Sequence, residues 1–279
     1  MEELAKLLLK ELAIYHPLQS FYRNIIDFIN KKFFQIIYLK YKGKGFICNF
    51  CSATYQKFLP EFPSKNIAAA LEKNEVVAGY GINVICPNCM SKNRERLLLA
   101  VFKDIIPVAN KEILHFSPEK HLYKYLKNIA NVTTADIIPG FYKNIDKSIT
   151  YSDATKLQFK NETFDMVIAN HILEHIPEDA KAIKEINRVI KKGGVAILQV
   201  PYSEILKTTI ETPFINDPKL QEQLYGQKDH VRIYALNNYL ERLAIGGFET
   251  KILTANFLKK YAIHAIQENE CVILAYKVG

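Results

Sequence analysis

From residue 111 to its end the chain alternates short apolar runs with segments of helical spacing. EILHF (112–116), NVTTAD (131–136), SITYSD (148–153), TFDMVIAN (163–170), VAILQV (195–200), FETKILTA and CVILAYKV read as strands. PEKHLYKYLKN (118–128), PEDAKAIKEINRVIKK (177–192) and ALNNYLERLAIG (235–246) read as helices, the second closed by Gly193-Gly194 as C-cap signals. Strands without polar alternation must be covered on both faces, and helices between successive strands supply that cover. The pattern therefore predicts an α/β fold built on a parallel sheet. Such a sheet binds its ligand beyond the carboxyl ends of its strands, so the polar residues that end these strands are the candidate site.

The rest of the chain divides in two. Residues 2–14 and 18–41 carry helical apolar spacing, with Pro17 as a breaker between them, and form an N-terminal helical segment over 1–43. Residues 44–92 hold four of the five cysteines, as Cys48-Asn-Phe-Cys51 and Cys86-Pro-Asn-Cys89, with 34 residues between the pairs. Two C-x-x-C knuckles place four thiolates in the tetrahedron that Zn²⁺ prefers, leaving no open position for catalysis. The separation is wider than the ~15–20 residues usual between such pairs, so an insertion must loop out of the ribbon. Cys271, in the apolar run ECVILAY, reads as an inert core thiol. NRERLLLAVFKDII (93–106) is a helix that ties this module to the α/β domain, which spans 93–279.

Composition sets the class. With 49% hydrophobic and 24% charged residues the chain has the profile of a soluble globular protein, and no apolar run reaches the ~18–20 residues of a membrane span. Acids early in MEELAKLLLKELAIYH argue against a secretory signal, so the expected location is cytoplasmic. Half of the net charge of +8 falls in residues 1–47, which hold eight Lys/Arg against four Asp/Glu. The stretch KKFFQIIYLKYKGKGF (31–46) reads as an amphipathic helix packed on its own protein; the alternative is contact with RNA, an anionic saccharide or a membrane surface.

The first strand-to-helix turn, HFSPE (115–119), contains no glycine. Ser117 suits an N-cap, Pro118 the first helical position, and Glu119 falls in the first turn. An acid there repels the pyrophosphate of a dinucleotide and tolerates a cationic adenosine ligand such as S-adenosylmethionine. Asp136, twenty residues after Phe116, ends the second strand where an acid chelates ribose hydroxyls, and Asp153 ends the third, placed to accept from an adenine amino group.

KLQFKNETFDMVIANHILEHIPEDAKAIKEINRVIKKGGVAILQVP (156–201) resembles the class I S-adenosylmethionine-dependent methyltransferases, in particular those with the type 11 methyltransferase domain. The resemblance covers about 110–279, and CPNCMSKNRER and GQKDHVRIY resemble segments of one subgroup. It implies a seven-stranded Rossmann-like sheet with the last strand antiparallel. It places cofactor contacts on His115, Phe116, Ser117, Pro118, Glu119, Asp136, Ile137, Asp153, Ala154, Asn170 and His171. Beyond the strand ends, His171, Glu174 and His175 shape the pocket and the following turn, or could hold a divalent ion. In GQKDHVRIY (226–234), His230 is the expected general base, with an ordinary pKa near ~6.5. Arg232, Tyr234 and Tyr202 are the expected substrate contacts, Arg232 gripping a carboxylate or phosphate. The connection 201–233 reads as an irregular lid. The expected function is methyl transfer to a small-molecule or saccharide acceptor. The alternatives are an RNA methyltransferase using the ribbon and the basic N-terminal region, and a non-catalytic scaffold. Against the RNA reading, 48–92 has only four Lys/Arg and three Glu.

Overall fold

The computed structural model describes residues 15–212 and 215–279; the helix expected over 2–14 lies outside the described residues. The first described helix, α1 (Tyr15–Ile37), runs through Pro17, which occupies its first turn. The break expected at Pro17 between 2–14 and 18–41 has its first side outside the described residues. A 3₁₀ turn over Leu39–Tyr41 replaces the expected end of the helix at 41. Within 31–46 the expected packing is partial: Tyr38, Tyr41 and Phe46 pack on the cysteine module and Gln35 Nε2 donates to Asn88, whereas Phe33, Ile36, Ile37 and Leu39 are exposed.

The cysteine module follows as a ribbon with a long excursion. β1 (Lys42–Ile47) and β2 (Thr54–Tyr55) pair antiparallel around the first knuckle. β3 (Leu59–Glu61), α2 (Lys65–Lys73) and β4 (Val76–Val77) make up the excursion, and β5 (Gly81–Ile85) returns antiparallel to β3 into the second knuckle. α3 (Asn93–Asp104) then enters the main domain. Arg96 on α3, fully buried, is the bolt: its guanidinium donates to the carbonyls of Ser91 (2.5 Å), Val84 (2.9 Å), His264 (2.7 Å) and Ala265 (2.8 Å). Carbonyls from the module and from the C-terminal segment are thereby satisfied by one cation.

The main sheet contains β6 (Glu112–Phe116), β7 (Asn131–Asp136), β8 (Thr150–Tyr151), β9 (Phe164–Ile168) and β10 (Ile190–Ile197). These five are mutually parallel, with β6 at the centre of the order β10-β9-β6-β7-β8. On the β10 side the sheet is completed by strands late in the chain, Phe248–Leu253 and Val272–Lys277. The latter, the last strand, inserts antiparallel between β10 and the former. This seven-stranded α/β sheet with its final strand antiparallel is the Rossmann-like methyltransferase architecture that the sequence implies. α4 (Lys120–Leu126) and α3 cover one face through Leu97, Leu98, Val101, Leu122 and Leu126. α5 (Asp179–Val189) and the helix Leu236–Ile245 cover the other through Ile183, Ile186, Val189, Tyr239 and Leu243. Each such fully buried side chain contributes about 1.5–3 kcal/mol.

Several boundaries differ from expectation for physical reasons. α5 ends at Val189, and Gly193-Gly194 are not its cap but part of β10, where the register to β9 slips between Ile190 and Val195. A Cβ on Gly194 would lie 2.8 Å from the Asp165 carbonyl oxygen, so the glycines serve a bulge against β9. The third strand keeps only Thr150–Tyr151. The connection 201–233 is not structureless. It contains β11 (Tyr202–Ser203), β12 (Ile210–Glu211), α6 (Pro218–Tyr225) and β13 (Arg232–Ala235). These strands form a small sheet of order β12-β13-β11-β4, closed by β4 from the cysteine module. Two-residue pairings across 125 positions leave no local trace in the sequence.

One buried acid in this frame carries a stability prediction. Burial pushes the Glu270 carboxyl up to about 7, against the pull of Arg94 and Arg96. A carboxyl whose folded pKa exceeds its unfolded one opposes folding increasingly as pH rises through both values. Glu270→Gln is therefore expected to raise stability above pH 7 by on the order of 3 kcal/mol, with the gain vanishing below about pH 4. Denaturant midpoints of both chains at pH 4 and pH 8 check this.

Candidate active site

The turn after β6 explains how a glycine-free loop works. Ser117 adopts φ +43, a left-handed conformation that costs an L-residue roughly 1–2 kcal/mol. It is held there by its amide donating to the Ala135 carbonyl (3.0 Å) and its hydroxyl donating to Asp136 Oδ2 (2.5 Å). Ser117 is thus not the N-cap. α4 starts at Lys120, and Glu119 takes the cap position, with Pro118 before it rather than in the first turn. The Glu119 carboxylate makes no cap bond; it accepts from His115 Nε2 (2.7 Å) and Asn170 Nδ2 (3.0 Å). Burial pushes its pKa up, but the His115 hydrogen bond and charge, Arg94 and Asn170 outweigh it and bring the group down to about 2. A charged carboxylate therefore stands at the mouth of the first strand.

A cavity of about 580 Å³ opens beyond the carboxyl ends of β6–β9. Phe116, Ser117, Glu119, Asp136, Ile137, Asp153, Ala154, Asn170 and His171, all expected as cofactor contacts, line it. His115 and Pro118 do not. His115 is fully buried behind Glu119 and acts by holding that carboxylate. Asp136 also accepts from the Ile138 amide (2.6 Å), and Asp153 Oδ1 accepts from the Thr155 amide and hydroxyl (2.8 and 2.7 Å), so each strand-end acid is fixed by its own turn. Asn170 Oδ1 and Ser152 Oγ are buried without a hydrogen-bond partner. Orphaned buried oxygens in a polar cavity call for a ligand. An adenosine with a cationic amino-acid tail fits this set: acids at the ribose and base positions, a carboxylate for the cation, and Arg94, also in the wall, for a carboxylate of opposite sign.

A second cavity, about 240 Å³, shares Arg94, His171 and His175 with the first. Its other walls include Tyr80, Gly79 and Leu71 from the cysteine module, Pro201, and Glu174 and His230. The excursion between the cysteine pairs is thus the roof of this cavity. The polar end is concentrated. Glu174 is 1% exposed and neither carboxylate oxygen has a hydrogen-bond partner. His171 Nδ1 lies 3.4 Å from its Oε1, and the rings of His175 and His230 meet edge to face at 4.6 Å. Burial lowers the His230 pKa to about 4, below the near-neutral value expected for a base, so the ring is uncharged at neutral pH. Asp229 pairs with His175 Nδ1 at 3.3 Å.

The three expected substrate contacts do not face either cavity. Arg232 is 4% exposed and donates to the carbonyls of Leu173 (3.0 Å), Ile176 (2.6 Å) and Pro177 (2.9 Å) and to Glu211 (2.8 Å). With three N–H groups on the turn at 173–177 and its Nε–H on Glu211, it positions Glu174 and His175 rather than gripping a ligand. The Tyr234 hydroxyl, fully buried, donates to Asp179 (2.7 Å). Tyr202 is buried with its hydroxyl accepting from the Cys271 amide (3.3 Å). Polar residues in a segment that looks irregular are here anchors of a small sheet. Tyr80, which lines a cavity, carries no motif; Arg94, which lines both, lies in CPNCMSKNRER, and that segment was the available signal for it.

The four cysteines converge. Cys48 and Cys89 sulfurs lie 3.6 Å apart and those of Cys51 and Cys86 3.8 Å, close to the ~3.8 Å edge of a tetrahedron with ~2.3 Å metal–sulfur bonds. The knuckles are alike in backbone: Ser52 and Met90 both take left-handed φ and donate back to the carbonyls of Cys48 and Cys86. The donor set fits Zn²⁺. Cys271 is buried and lies apart, as expected for a core thiol.

The fold and this cavity define an α/β domain with a pocket beyond its strand ends, and part of that domain is similar to known proteins. Residues 118–198 match the family model described as a methyltransferase domain, Methyltransf_11. A phosphatidylethanolamine N-methyltransferase of Cereibacter sphaeroides is 36% identical over 52 residues, 19% of this chain and 26% of that protein. A demethylmenaquinone methyltransferase of Bacillus pumilus (strain SAFR-032) is 30% identical over 73 residues, 26% of this chain and 30% of that protein. The chain thus spans less than a third of the length of these curated relatives. Among solved structures, an S-adenosylmethionine-dependent methyltransferase from Mesorhizobium loti aligns with 14% identity over 64% of this chain and 97% of that one, at a TM-score of 0.43. Among the described residues no helix is long and apolar enough to cross a membrane.

Proposed function

We propose that the chain is an S-adenosylmethionine-dependent methyltransferase acting on a small-molecule acceptor, saccharides included. The observation that carries this reading is the Glu119 carboxylate, held ionised by His115 and Asn170 at the mouth of the strand-end cavity. A fixed anion there disfavours a phosphate-bearing dinucleotide and favours a cation by the same Coulomb term. Asp136 would hold the ribose hydroxyls, Asp153 the adenine amino group, and Arg94 the carboxylate of the amino-acid tail. The cofactor, when bound, supplies a methyl group on a sulfonium, a good leaving group. The protein's own part is to hold the acceptor in line and keep water out. The roofed cavity of about 240 Å³ has room for a small acceptor, and the curated relatives' small-molecule names support that class. Removal of an acceptor proton falls to the end of the cavity where His171, Glu174, His175 and His230 converge. Cys48, Cys51, Cys86 and Cys89 would hold a structural zinc ion that keeps the roof in place.

Isothermal calorimetry tests the cofactor. S-adenosylmethionine or its demethylated product is expected to bind at micromolar concentration while NAD gives no heat. Silence from the first, or binding of NAD, overturns the reading.

A further inference from the structure

The polar end of the second cavity contains an unusual combination. Glu174 is buried from solvent and lines the cavity, and its carboxylate has no close hydrogen bond, only an ion-pair contact with His171 Nδ1 at 3.4 Å. A buried carboxylate met by a single imidazole at 3.4 Å still carries a desolvation cost on the order of several kcal/mol that a bound cation would offset. Potential ligand atoms of Glu174, His175 and His230 lie within 4.8 Å of one another. We propose that these three residues bind a divalent first-row transition-metal ion, distinct from the four-cysteine site.

The donor set selects the ion. Two imidazole nitrogens and one carboxylate oxygen suit Zn²⁺, Co²⁺, Mn²⁺ or Fe²⁺ and are too nitrogen-rich for Ca²⁺ or Mg²⁺. Ligand atoms bound to one ion at ~2.1 Å sit about 3.0–3.5 Å apart, so side-chain rotations of about 1 Å complete the site. The surroundings are those of a metal centre. Asp229 Oδ2 lies 3.3 Å from His175 Nδ1, the carboxylate–histidine pairing that orients a ligand ring and leaves Nε2 for the ion. Arg232 clamps the 173–177 turn that carries Glu174 and His175 through the carbonyls of Leu173, Ile176 and Pro177. The Val231 amide donates to the Glu174 carbonyl (2.9 Å), tying the His230 segment to the same turn. Two cations share the cavity wall, but Lys92 is paired with Glu61 at 2.7 Å, and Arg94 is shared with the neighbouring cavity and its Glu119. Three protein ligands leave coordination positions open toward the cavity, where water or an oxygen of a bound small molecule completes the shell. This is the opposite of the closed four-sulfur site. The site is argued from these side chains alone and does not depend on the chain being a methyltransferase.

The test uses the full chain dialysed against Zn²⁺ and, separately, Co²⁺. Wild type is expected to hold about one ion per chain more than Glu174→Gln or His230→Ala. The thiolate-to-cobalt charge-transfer band of the cysteine site should be equal in all three, which also reports that the variants keep the module folded. Zinc-edge X-ray absorption of the wild type, which needs no variant, should show a nitrogen/oxygen shell at about 2.0–2.1 Å beside the sulfur shell. Equal metal content in wild type and both variants, or a sulfur shell alone in the wild type, overturns the proposal.

Discussion

Replacing Cys86 by serine is expected to lower the thermal unfolding midpoint by about 10 °C or more and to release metal. Cys86 is fully buried, its sulfur is 3.8 Å from that of Cys51, and its amide and carbonyl close the second knuckle through Ser91 and Met90. Loss of one thiolate from a four-sulfur site removes much of a binding free energy that is itself folding free energy. The effect should spread along a defined route. β5 leads into Cys86, the excursion before it supplies β4 to the small sheet, and that sheet carries Tyr202 and Arg232. Differential scanning calorimetry with parallel metal analysis reads both quantities. The expectation fails if Cys86→Ser melts with wild type and keeps its metal. Cofactor binding should suffer less than stability, because the larger cavity is built from β6–β9 and their loops.

Asp136→Ala is expected to weaken binding of S-adenosylmethionine by about 100-fold, the loss of a charge-assisted hydrogen-bonding partner of roughly 3 kcal/mol. The carboxylate is 8% exposed at the end of β7 and is already oriented by the Ser117 hydroxyl and the Ile138 amide. Alanine removes the ligand acceptor and also frees Ser117, which sits in a strained left-handed turn held partly by that bond. Asp136→Asn keeps a neutral acceptor and should recover part of the affinity. Calorimetric titration of both variants separates the contributions, and an Asp136→Ala protein that binds as tightly as wild type would remove this residue from the cofactor site.

The strand-end cavity was legible because its parts are local to strand ends. Phe116, Ser117, Glu119, Asp136, Asp153 and Asn170 each follow directly from a strand whose apolar run is plain in the sequence. Where the reading went astray, the cause lay in partners distant along the chain. Ser117 has the composition of an N-cap, yet its hydroxyl is used by Asp136, 19 residues on. Gly193-Gly194 have the position of a helix cap, yet the close approach of Asp165 makes them a bulge. Arg232 and Tyr234 have the chemistry of substrate contacts, yet the carbonyls of 173–177 and Asp179 consume it.

The amino-acid sequence by itself determined the parallel sheet, the strand-end acids and the four-sulfur knuckles. Periodicity, turn chemistry and C-x-x-C spacing act over a few residues and are written there directly. Only the tertiary structure decided that residues 76–77 pair with 202–203, that the excursion between the cysteines roofs a cavity, and that Glu174 and His175 meet His230. Those contacts join segments tens to more than a hundred residues apart. Their free energy comes from burial and hydrogen bonding that exist only once the chain has closed on itself.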